Sequence, residues 1–328
     1  MPITLSTQAR TVTLALSGGV GGAKLAAGLA AVLEPPQLAI VCNTGDDFEH
    51  LGLPICPDLD TVMYTLGGRS NTAQGWGLAN ESWRVIGALG ELGGDTWFRL
   101  GDLDIATHLY RLNRQRSGVA LTTITEELCE RYGVRHAVWP MADAPVRTMV
   151  QVSDGPLKGE LPFQHYFVRE RCQPPVSGFR FDGIDTAMAQ PRMLELIDSR
   201  RLSAVVICPS NPFVSVDPIL NLPGLRDRLK KAGVPIIAVS PIVGGRALKG
   251  PAAKMMAELG MPVTARAVAA YYGDLLDGFV IDHADAADAG AIGQLGPQVC
   301  VTQSVMNGQQ ERRALAVTVL DFARSLAG

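Results

Sequence analysis

The sequence predicts an α/β protein built on a parallel β-sheet, and two features of the chain support this prediction. Residues 11–33 pass from a short apolar run through a glycine-rich turn into a segment rich in alanine and leucine. Further short apolar runs recur along the chain and end in polar turns. Runs of this kind are typical of strands that are buried on both faces of a parallel sheet.

The glycine-rich turn is the first candidate binding element. Gly18, Gly19, Gly21 and Gly22 lie between the predicted strand and the predicted helix. This layout directs backbone N–H groups toward a phosphate, and glycine allows close approach because it has no Cβ. The spacing matches neither the Walker pattern nor the strict GxGxxG fingerprint, so a tight turn that binds nothing is the alternative. Lys24 is either a phosphate cation or a lysine whose stem lies along the helix.

Composition excludes several classes of function. The chain has 328 residues, of which 47% are apolar and 19% charged, and its net charge is −3. These values are typical of a soluble globular protein, and the lack of a basic block argues against nucleic acid as the main partner. The six cysteines show no C-x-x-C spacing, which argues against a zinc site or a disulfide framework and favours the reducing cytoplasm. The first ten residues lack a secretion signal, and five glycines interrupt residues 11–33, so we expect no membrane span.

A polar cluster follows the second apolar run, LAIVC. Its members are Asn43, Asp46, Asp47, Asp58 and Asp60. The carboxyl edge of a parallel sheet is where ligands bind in open α/β folds. Beside a phosphate loop, four carboxylates repel the ligand unless a divalent cation lies between them. For Asp58 the alternative is a structural one, as the N-cap of a helix that begins there.

Between residues 68 and 200 the alternation of strands and helices weakens. We expect three helices, with Asp102 as a candidate cap of one and a capping box at 123–126 at the start of another. The remaining polar pieces suggest an insertion or lid that holds the site of a second substrate. Within it, His108 and His165 are either donors to a ligand or histidines that pack against helices.

The alternation returns after residue 200. The predicted elements are strands at 204–208, 234–239, 279–282 and 299–302 and a final helix at 309–326. The turn after the first of these strands contains Ser210 and Asn211. With 17–22 and 43–47 it is the third polar turn at a strand end, and we expect the three to share one crevice.

The chain contains no repeat, low-complexity tract or proline-rich linker. We therefore expect one α/β domain over residues 1–328. Its nucleotide-binding core is predicted at 11–67 and 201–328, and its insertion at 68–200.

Several of these motifs together resemble one protein family. In order along the chain they are SGGVGGAK, NTGDD, CPDLDT, GWG, LGDLDIATH, FQ with an aromatic residue soon after, PSNP and SPIVGG. They are similar to the motifs of the 2-phospho-L-lactate transferase (CofD-type) family of coenzyme F420 biosynthesis. The likeness extends from about residue 12 to 282.

The resemblance implies a Rossmann-like three-layer fold with a mostly parallel sheet and a largely helical insertion. It also implies a magnesium requirement and two substrates, the deazaflavin Fo and a guanosine diphosphate ester of a three-carbon acid. The acid is lactate, enolpyruvate or glycerate, and the sequence leaves these three open. The enzyme would pass the phospho-acid to the terminal hydroxyl of the Fo ribityl chain and release GMP. A homodimer is common in the family.

The resemblance also implies roles for individual residues. Asp46 and Asp60 would hold the magnesium and act in catalysis. The further substrate-binding residues would be the four glycines with Lys24, Asn43, Asp47, Asp58, Thr61, Asp102, His108, Ser210 and Asn211. One position departs from the pattern, because many relatives carry arginine where this chain has Leu103. Its contact would be made here by Arg99, by Arg111 or by no residue.

Two other functions compete with the transferase. A sister group of the gluconeogenesis-factor type resembles a nucleotide-sugar-binding regulatory protein and shares the glycine loop and the SNP turn. Its members carry a DDGGSSGRLR-like stretch where this chain has DDFEHLGLPICPDLDT, which favours the transferase. A nicotinamide dehydrogenase is disfavoured because no acidic residue lies at the ribose position of a GxGxxG frame.

Overall fold

A computed structural model describes residues 11–327 of the chain. The first ten residues, in which we predict no secretion signal, lie outside the described part. Within residues 11–327, no helix is both long enough and apolar enough to cross a bilayer.

The strands and helices alternate at both ends of the chain. The strands are β1 Val12–Ser17, β2 Leu38–Cys42, β3 Phe48–His50, β4 Leu53–Ile55, β5 Ala137–Pro140, β6 Arg147–Val152, β7 Gly159–Pro162, β8 Val176–Asp182, β9 Leu202–Ile207, β10 Ile236–Val239, β11 Ile242–Val243, β12 Arg246–Ala247, β13 Gly278–Asp282 and β14 Gln298–Thr302. The helices are α1 Gly19–Ala30, α2 Pro57–Leu66, α3 Arg84–Glu91, α4 Asp102–Arg116, α5 Leu121–Arg131, α6 Pro191–Asp198, α7 Asp217–Leu220, α8 Leu225–Lys231, α9 Ala252–Glu258, α10 Ala265–Tyr272, α11 Ala289–Gly293 and α12 Gln309–Ala327.

Seven strands form one parallel sheet in the order β14-β13-β10-β9-β1-β2-β5. Helices cover both faces of this sheet. Alternate side chains of each strand therefore enter two separate cores. In β1, Leu14 and Leu16 pack in the core beneath α6 to α10, whereas Ala15 packs against α1, α2 and α12. The α/β class with a Rossmann-like, three-layer parallel sheet is therefore confirmed. The predicted strands of the core agree with the structure to within two residues.

The order of strands places the polar turns at one point of the sheet. From β1 the chain proceeds to β2 and β5 on one side and then returns to β9, β10, β13 and β14 on the other. The direction of winding reverses between β1 and β9, and ligands of open α/β folds bind outside the carboxyl ends of strands at such a point. The turns after β2, β1 and β9 lie on three adjacent strands. The three turns therefore lie side by side at one edge of the sheet, but the turns after β1 and β9 line neither of the two cavities described below, so a shared crevice stays a prediction.

The region 68–200 does not separate from the core as one piece. It contains α3 to α6, but β5 pairs in parallel with β2 as the edge strand of the main sheet. The strands β7, β6 and β8 form a separate antiparallel sheet. The predicted boundary is thus wrong at 137–140, because an edge strand as short as β5 carries little of the apolar pattern that marks a strand in sequence.

Two predicted helix caps are replaced by long-range ones. Asp102 does not cap its own helix α4. Its carboxylate instead accepts hydrogen bonds from the backbone of Arg84 and Val85 at the start of α3, while Glu81 accepts from the backbone of Leu103 and Asp104 in α4. Asp102, at the start of α4, thus caps α3, and Glu81, just before α3, caps α4. Both contacts satisfy N–H groups that a helix start leaves unpaired.

The second replaced cap is the capping box at 123–126. Helix α5 begins at Leu121, two residues before the predicted cap. Its start is capped by Asp143 Oδ1, which accepts from the backbone N–H and the hydroxyl of Thr122 at 2.7 and 2.8 Å.

Candidate active site

The turns after β1 and β9 are joined directly. The Gly18 N–H donates to Ser210 Oγ at 3.1 Å, and Ser210 Oγ donates to the Gly18 carbonyl at 2.8 Å. The turn after β2 is tied to the same place by Asn43, whose Nδ2 donates to Asp58 Oδ2 and to the Val214 carbonyl. These side chains, predicted to line a nucleotide crevice, therefore hold the strand ends together.

Asp58 is a residue of α2, and its side chain lies beside the N-terminus of α1. Its Oδ1 accepts from the Gly19 N–H at 2.7 Å, and its Oδ2 accepts from Asn43. The interpretation of Asp58 as a helix N-cap is wrong, because α2 begins at Pro57 with Cys56 as the flanking residue. Asp58 instead satisfies a backbone donor of another helix and complements the positive end of its dipole. A phosphate at this helix start would meet a carboxylate, so a cation is needed between them.

The four glycines of the turn are required for different reasons. A Cβ at Gly21 would lie 2.3 Å from the Pro209 carbonyl oxygen, and one at Gly18 would lie 2.5 Å from Ser215 Cβ. A Cβ at Gly22 would lie 2.6 Å from Ser17 Oγ. At Gly19 nothing lies within 4 Å, but φ is +64°. Only Gly19 therefore faces open space, where a ligand can approach, and the other three allow close packing of the strand ends.

This difference predicts separate effects for two substitutions. Gly21→Ala is expected to lower the free energy of unfolding by about 1–3 kcal/mol, because its Cβ meets backbone that does not give way. Gly19→Ala is expected to cost about 1 kcal/mol, the penalty of a left-handed φ for a residue with a Cβ. Its larger effect should be on nucleotide affinity.

Urea unfolding and nucleotide titration of both variants test this. If Gly21→Ala is as stable as wild type, the close packing described here is wrong. If Gly19→Ala binds nucleotide with unchanged affinity, the open face of the turn is not a binding surface.

Asp46, Asp47, Asp58 and Asp60 are all buried, between 5 and 6% exposed. Burial, and then the neighbouring Asp58, raises the pKa of Asp46 well above its ordinary value. Burial raises the pKa of Asp47 to about 7 and that of Asp58 to about 6. The pKa changes have the direction expected when carboxylates are removed from water beside like charges.

Three oxygens of this cluster are left without a hydrogen bond, although one of them, Asp60 Oδ2, lies 3.8 Å from His108 Nδ1. Asp46 Oδ1, Asp47 Oδ1 and Asp60 Oδ2 are buried and accept no hydrogen bond from the residues that the structure describes. Buried carboxylate oxygens are normally hydrogen-bonded or bound to metal, so these oxygens fit a hard divalent cation. In the described part of the chain, no three His, Cys, Asp or Glu side chains are arranged to hold a metal by themselves. A magnesium ion here would be completed by water and substrate oxygens, as is common for this ion.

Asp60 is anchored from its other side. Its Oδ1 accepts a hydrogen bond from Arg111, which is 1% exposed and also donates to the Pro54 carbonyl at 3.2 Å. Burial lowers the pKa of Arg111, and the neighbouring Asp60 charge raises it. The net effect is a raised pKa. His108 lies between this pair and Asp104, with its ring nitrogens 3.0 Å from Arg111 Nη1 and 3.5 Å from Asp104 Oδ1. His108, predicted to bind substrate, is thus a member of a buried network.

The raised pKa values predict how stability depends on pH. Carboxyls of the unfolded chain titrate near 4, whereas Asp58 and Asp47 titrate with pKa values of about 6 and 7 when folded. Between the unfolded pKa near 4 and the folded pKa of each carboxyl, the folded state binds more protons than the unfolded state. The free energy of unfolding therefore falls as pH rises through this range. Each such carboxyl lowers it by about 1.4 kcal/mol for every pH unit within the window. We expect the metal-free protein to melt at a lower temperature at pH 8 than at pH 5.5. Magnesium should restore stability mainly at pH 8, because it binds the ionised form.

Thermal melting at both pH values, in EDTA and in magnesium, tests this expectation. Asp47→Asn should flatten the dependence in EDTA. A melting temperature that is equal at both pH values in EDTA would contradict it.

Two adjoining cavities open beside the cluster. One of about 260 Å³ is lined by Asp46 and Asp47 together with β6 and residues 162–165. The other, of about 270 Å³, extends from Asp47 toward β4, α4 and residues 143–145. The residues common to both are Asp47, Phe48, Glu49 and Arg147. We call the two cavities, which share these four residues, together the groove.

Three residues that were predicted to bind substrate do not line the groove. Lys24 Nζ donates to the Met306 carbonyl at 2.9 Å. Burial, and then the nearby Arg312 and Lys249, lowers the Lys24 pKa. Thr61 is half-buried on α2, and Asn211 caps the turn of helix after β9 through the Phe213 N–H.

Leu103 is 49% exposed on α4, and what takes the place of the family's arginine stays a prediction. Of the two proposed replacements, Arg111 binds Asp60 and Arg99 lies 4.5 Å over the Trp83 ring.

Comparison with known proteins decides the family. The model of the family described as 2-phospho-L-lactate transferase CofD matches residues 13–306. The chain belongs to this family. It is 40% identical to the phosphoenolpyruvate transferase of Kitasatospora aureofaciens, with 95% of this chain and 98% of that protein covered. It is 37% identical to the 2-phospho-L-lactate transferase of Methanosarcina mazei, with 93% and 98% covered.

A solved structure shows the same fold. A crystal structure of a UPF0052-family protein of Bacillus halodurans superposes with a TM-score of 0.60, covering 95% of this chain and 99% of that one. The two are 14% identical, so the likeness concerns the fold alone.

In this CofD-family chain, the structure shows contacts of three residues that the sequence analysis did not assign. Arg147 and Gln164 line the groove, and Arg111 anchors Asp60. Arg147 lies in a stretch whose sequence is irregular and polar, where no periodicity singles it out. Gln164 belongs to the FQ motif, and that resemblance is the signal that could have found it.

Proposed function

We propose that this chain transfers a phospho-three-carbon-acid group from a guanosine diphosphate ester to the terminal hydroxyl of Fo, releasing GMP, in coenzyme F420 biosynthesis. The observation that carries the proposal is the buried aspartate cluster at the winding reversal of a parallel sheet. Two members of this cluster, Asp46 and Asp47, line the groove, as a site for a cation and phosphate requires. Family membership supports the reaction class.

Asp46 Oδ1 and Asp60 Oδ2 are the oxygens proposed to hold magnesium, with Asp47 beside them. When bound, the ion would neutralise charge on the phosphate oxygens and lower the pKa of an alcohol that it contacts. The chain's own residues position this centre. Arg111 orients Asp60 from behind, and Asn43 and Asp58 hold the turn after β2 against α1. Phosphoryl transfer depends mainly on such positioning and charge neutralisation, so no covalent nucleophile is required.

The acceptor is proposed to bind along an aromatic cluster on the β3–β4 hairpin. Phe48 lies 4.9 Å from Phe98, His50 lies 5.0 Å from Trp97, and Trp97 lies 4.8 Å from His165, all measured between ring centroids. Phe48 and His165 line the smaller cavity next to Asp46. A flat heteroaromatic ring packs favourably against such edges and faces.

Enolpyruvate is the acid that we propose first. The relatives from Kitasatospora aureofaciens and Thermobifida fusca, both called phosphoenolpyruvate transferase, are 40% identical to this chain. The 2-phospho-L-lactate transferase of Methanosarcina mazei is 37% identical. This difference ranks the candidates, and lactate and glycerate esters belong in the same experiment.

The test is incubation of the purified protein with Fo, magnesium and each of the three guanosine diphosphate esters, followed by chromatography. We expect GMP and a new, more anionic deazaflavin, no product in EDTA, and recovery when magnesium is added. If no ester gives GMP, and a UDP-sugar binds tightly instead, the nucleotide-sugar-binding regulator is the better function. The homodimer and the cytoplasmic location remain predictions, which sedimentation and cell fractionation would test.

A further inference from the structure

The groove holds a single basic side chain of permanent charge. Among the described residues that line its two halves, Arg147 is the one Lys or Arg, and it lines both. The other charged groups of the lining are acidic, namely Asp46, Asp47, Glu49, Asp143 and Asp182. A groove of this charge repels an anionic substrate unless specific cations meet it.

Arg147 has no acidic partner of its own. Its Nη1 donates to the Val146 carbonyl at 2.9 Å, and no carboxylate of residues 11–327 lies within ion-pair distance of it. The acid opposite it in the sheet register is Asp182, on β8. Asp182 is already bound by Arg180, whose Nη1 donates to it at 2.6 Å. The sheet thereby leaves the Arg147 guanidinium available.

Arg147 lines the same cavity as Asp46 and Asp47. Its charge acts to lower the pKa of Asp47, but no hydrogen bond joins the two side chains. A donor of the proposed kind carries two anionic parts, a diphosphate and a carboxylate. The aspartate cluster can meet the diphosphate only through a cation, whereas a guanidinium meets a carboxylate directly with two parallel N–H donors.

We propose that Arg147 binds the carboxylate of the transferred three-carbon acid and thereby selects donors that carry one. This inference rests on the proposed function. Arg147 is then the specificity-determining residue of the donor site. The charge of the diphosphate would be met separately, by magnesium held at the aspartates. The inference covers all three acids, because each carries a carboxylate. It lies next to the esterified carbon in the lactate and enolpyruvate esters and one carbon further away in the 3-phosphoglycerate ester.

The experiment compares two donors that differ only in this group. They are the guanosine diphosphate esters of lactate and of ethanol, the second lacking the carboxylate. Wild type is expected to prefer the lactate ester by roughly 10²-fold in kcat/KM, the effect of losing charge-assisted hydrogen bonds. In Arg147→Met the preference should fall to a few-fold, because only the lactate ester loses its contact. Arg147→Lys should keep part of the preference, since it retains the charge without the fork.

The control is Arg192→Met, on α6, which removes an exposed arginine that is paired with Glu126 and does not line the groove. It should keep the wild-type preference. An equal loss with both donors in Arg147→Met would overturn the inference, because the side chain would then act on phosphates or on folding. An unchanged preference would overturn it as well.

Equilibrium binding of the same two esters, measured by calorimetry with magnesium, decides the inference without turnover. Loss of the preference for the lactate ester in Arg147→Met supports it, and equal weakening of both overturns it. If wild type releases GMP from neither ester, the proposed function fails, and these binding ratios still decide the role of Arg147.

Discussion

Replacing Asp46 by asparagine is expected to lower turnover by roughly 10²–10³-fold, the loss associated with removing one charged group that stabilises a transition state. The amide cannot supply the negative charge that a magnesium ion requires. The fold should not suffer. Burial and Asp58 disfavour the ionised Asp46 carboxylate and raise its pKa, so the neutral amide should leave the metal-free protein as stable as wild type or more so.

Steady-state rates at several magnesium concentrations, together with melting curves in EDTA, test this prediction. Asp198→Asn is a matched control, because Asp198 is an exposed aspartate paired with Arg228 on the surface. Asp60→Asn should lose turnover to a similar extent. Wild-type rates in both variants at saturating magnesium would remove the cluster from the mechanism.

Arg111→Met is expected to lower the free energy of unfolding by about 3–5 kcal/mol, the range observed when one partner of a buried ion pair is removed. The substitution leaves Asp60 buried at 5% exposure without its counter-charge. It also removes the hydrogen bonds to His108 and to the Pro54 carbonyl. Adding Asp60→Asn should recover part of the loss, because the uncompensated charge is then gone, and the two effects should not be additive.

Urea unfolding of the two single variants and the double variant measures this coupling. Arg114→Met lies on the same helix and removes an arginine that is 35% exposed and paired with Glu127. The pair is bidentate and Tyr110 also donates to Glu127, but water reaches it, so the control should lose about 1 kcal/mol, well below the loss expected for Arg111→Met. If Arg111→Met unfolds like this control, the buried pair does not stabilise the fold.

Six of the seven strands of the main sheet were predictable because each one is a local pattern. The apolar run LAIVC coincides with β2, and the terminal helix begins at Gln309 as expected. Local patterns also located the polar turns, since strand ends are marked by small and polar residues. The strand β5 was missed because two core side chains and a terminal proline carry no periodicity that separates a strand from a loop.

The partners of the polar residues could not be predicted in the same way. Asp58 looks like a helix cap in sequence, yet it binds the Gly19 N–H, 39 residues away. The Gly18 and Ser210 hydrogen bonds span 192 residues. A carboxylate or hydroxyl satisfies whichever donor the fold brings to it, so its sequence neighbours do not identify its partner.

The sequence by itself determined the α/β class, the order of the core strands along the chain, the three polar turns and, through its motifs, membership of the CofD family. These properties follow from local periodicity and from residue types, which the chain carries before it folds. Only the tertiary structure decided that Gly19 is open while Gly21 is packed, that Arg111 neutralises Asp60, and that Arg147 is left without an acid among the described residues. The physical reason is that burial and charge pairing depend on distances between segments far apart in the chain.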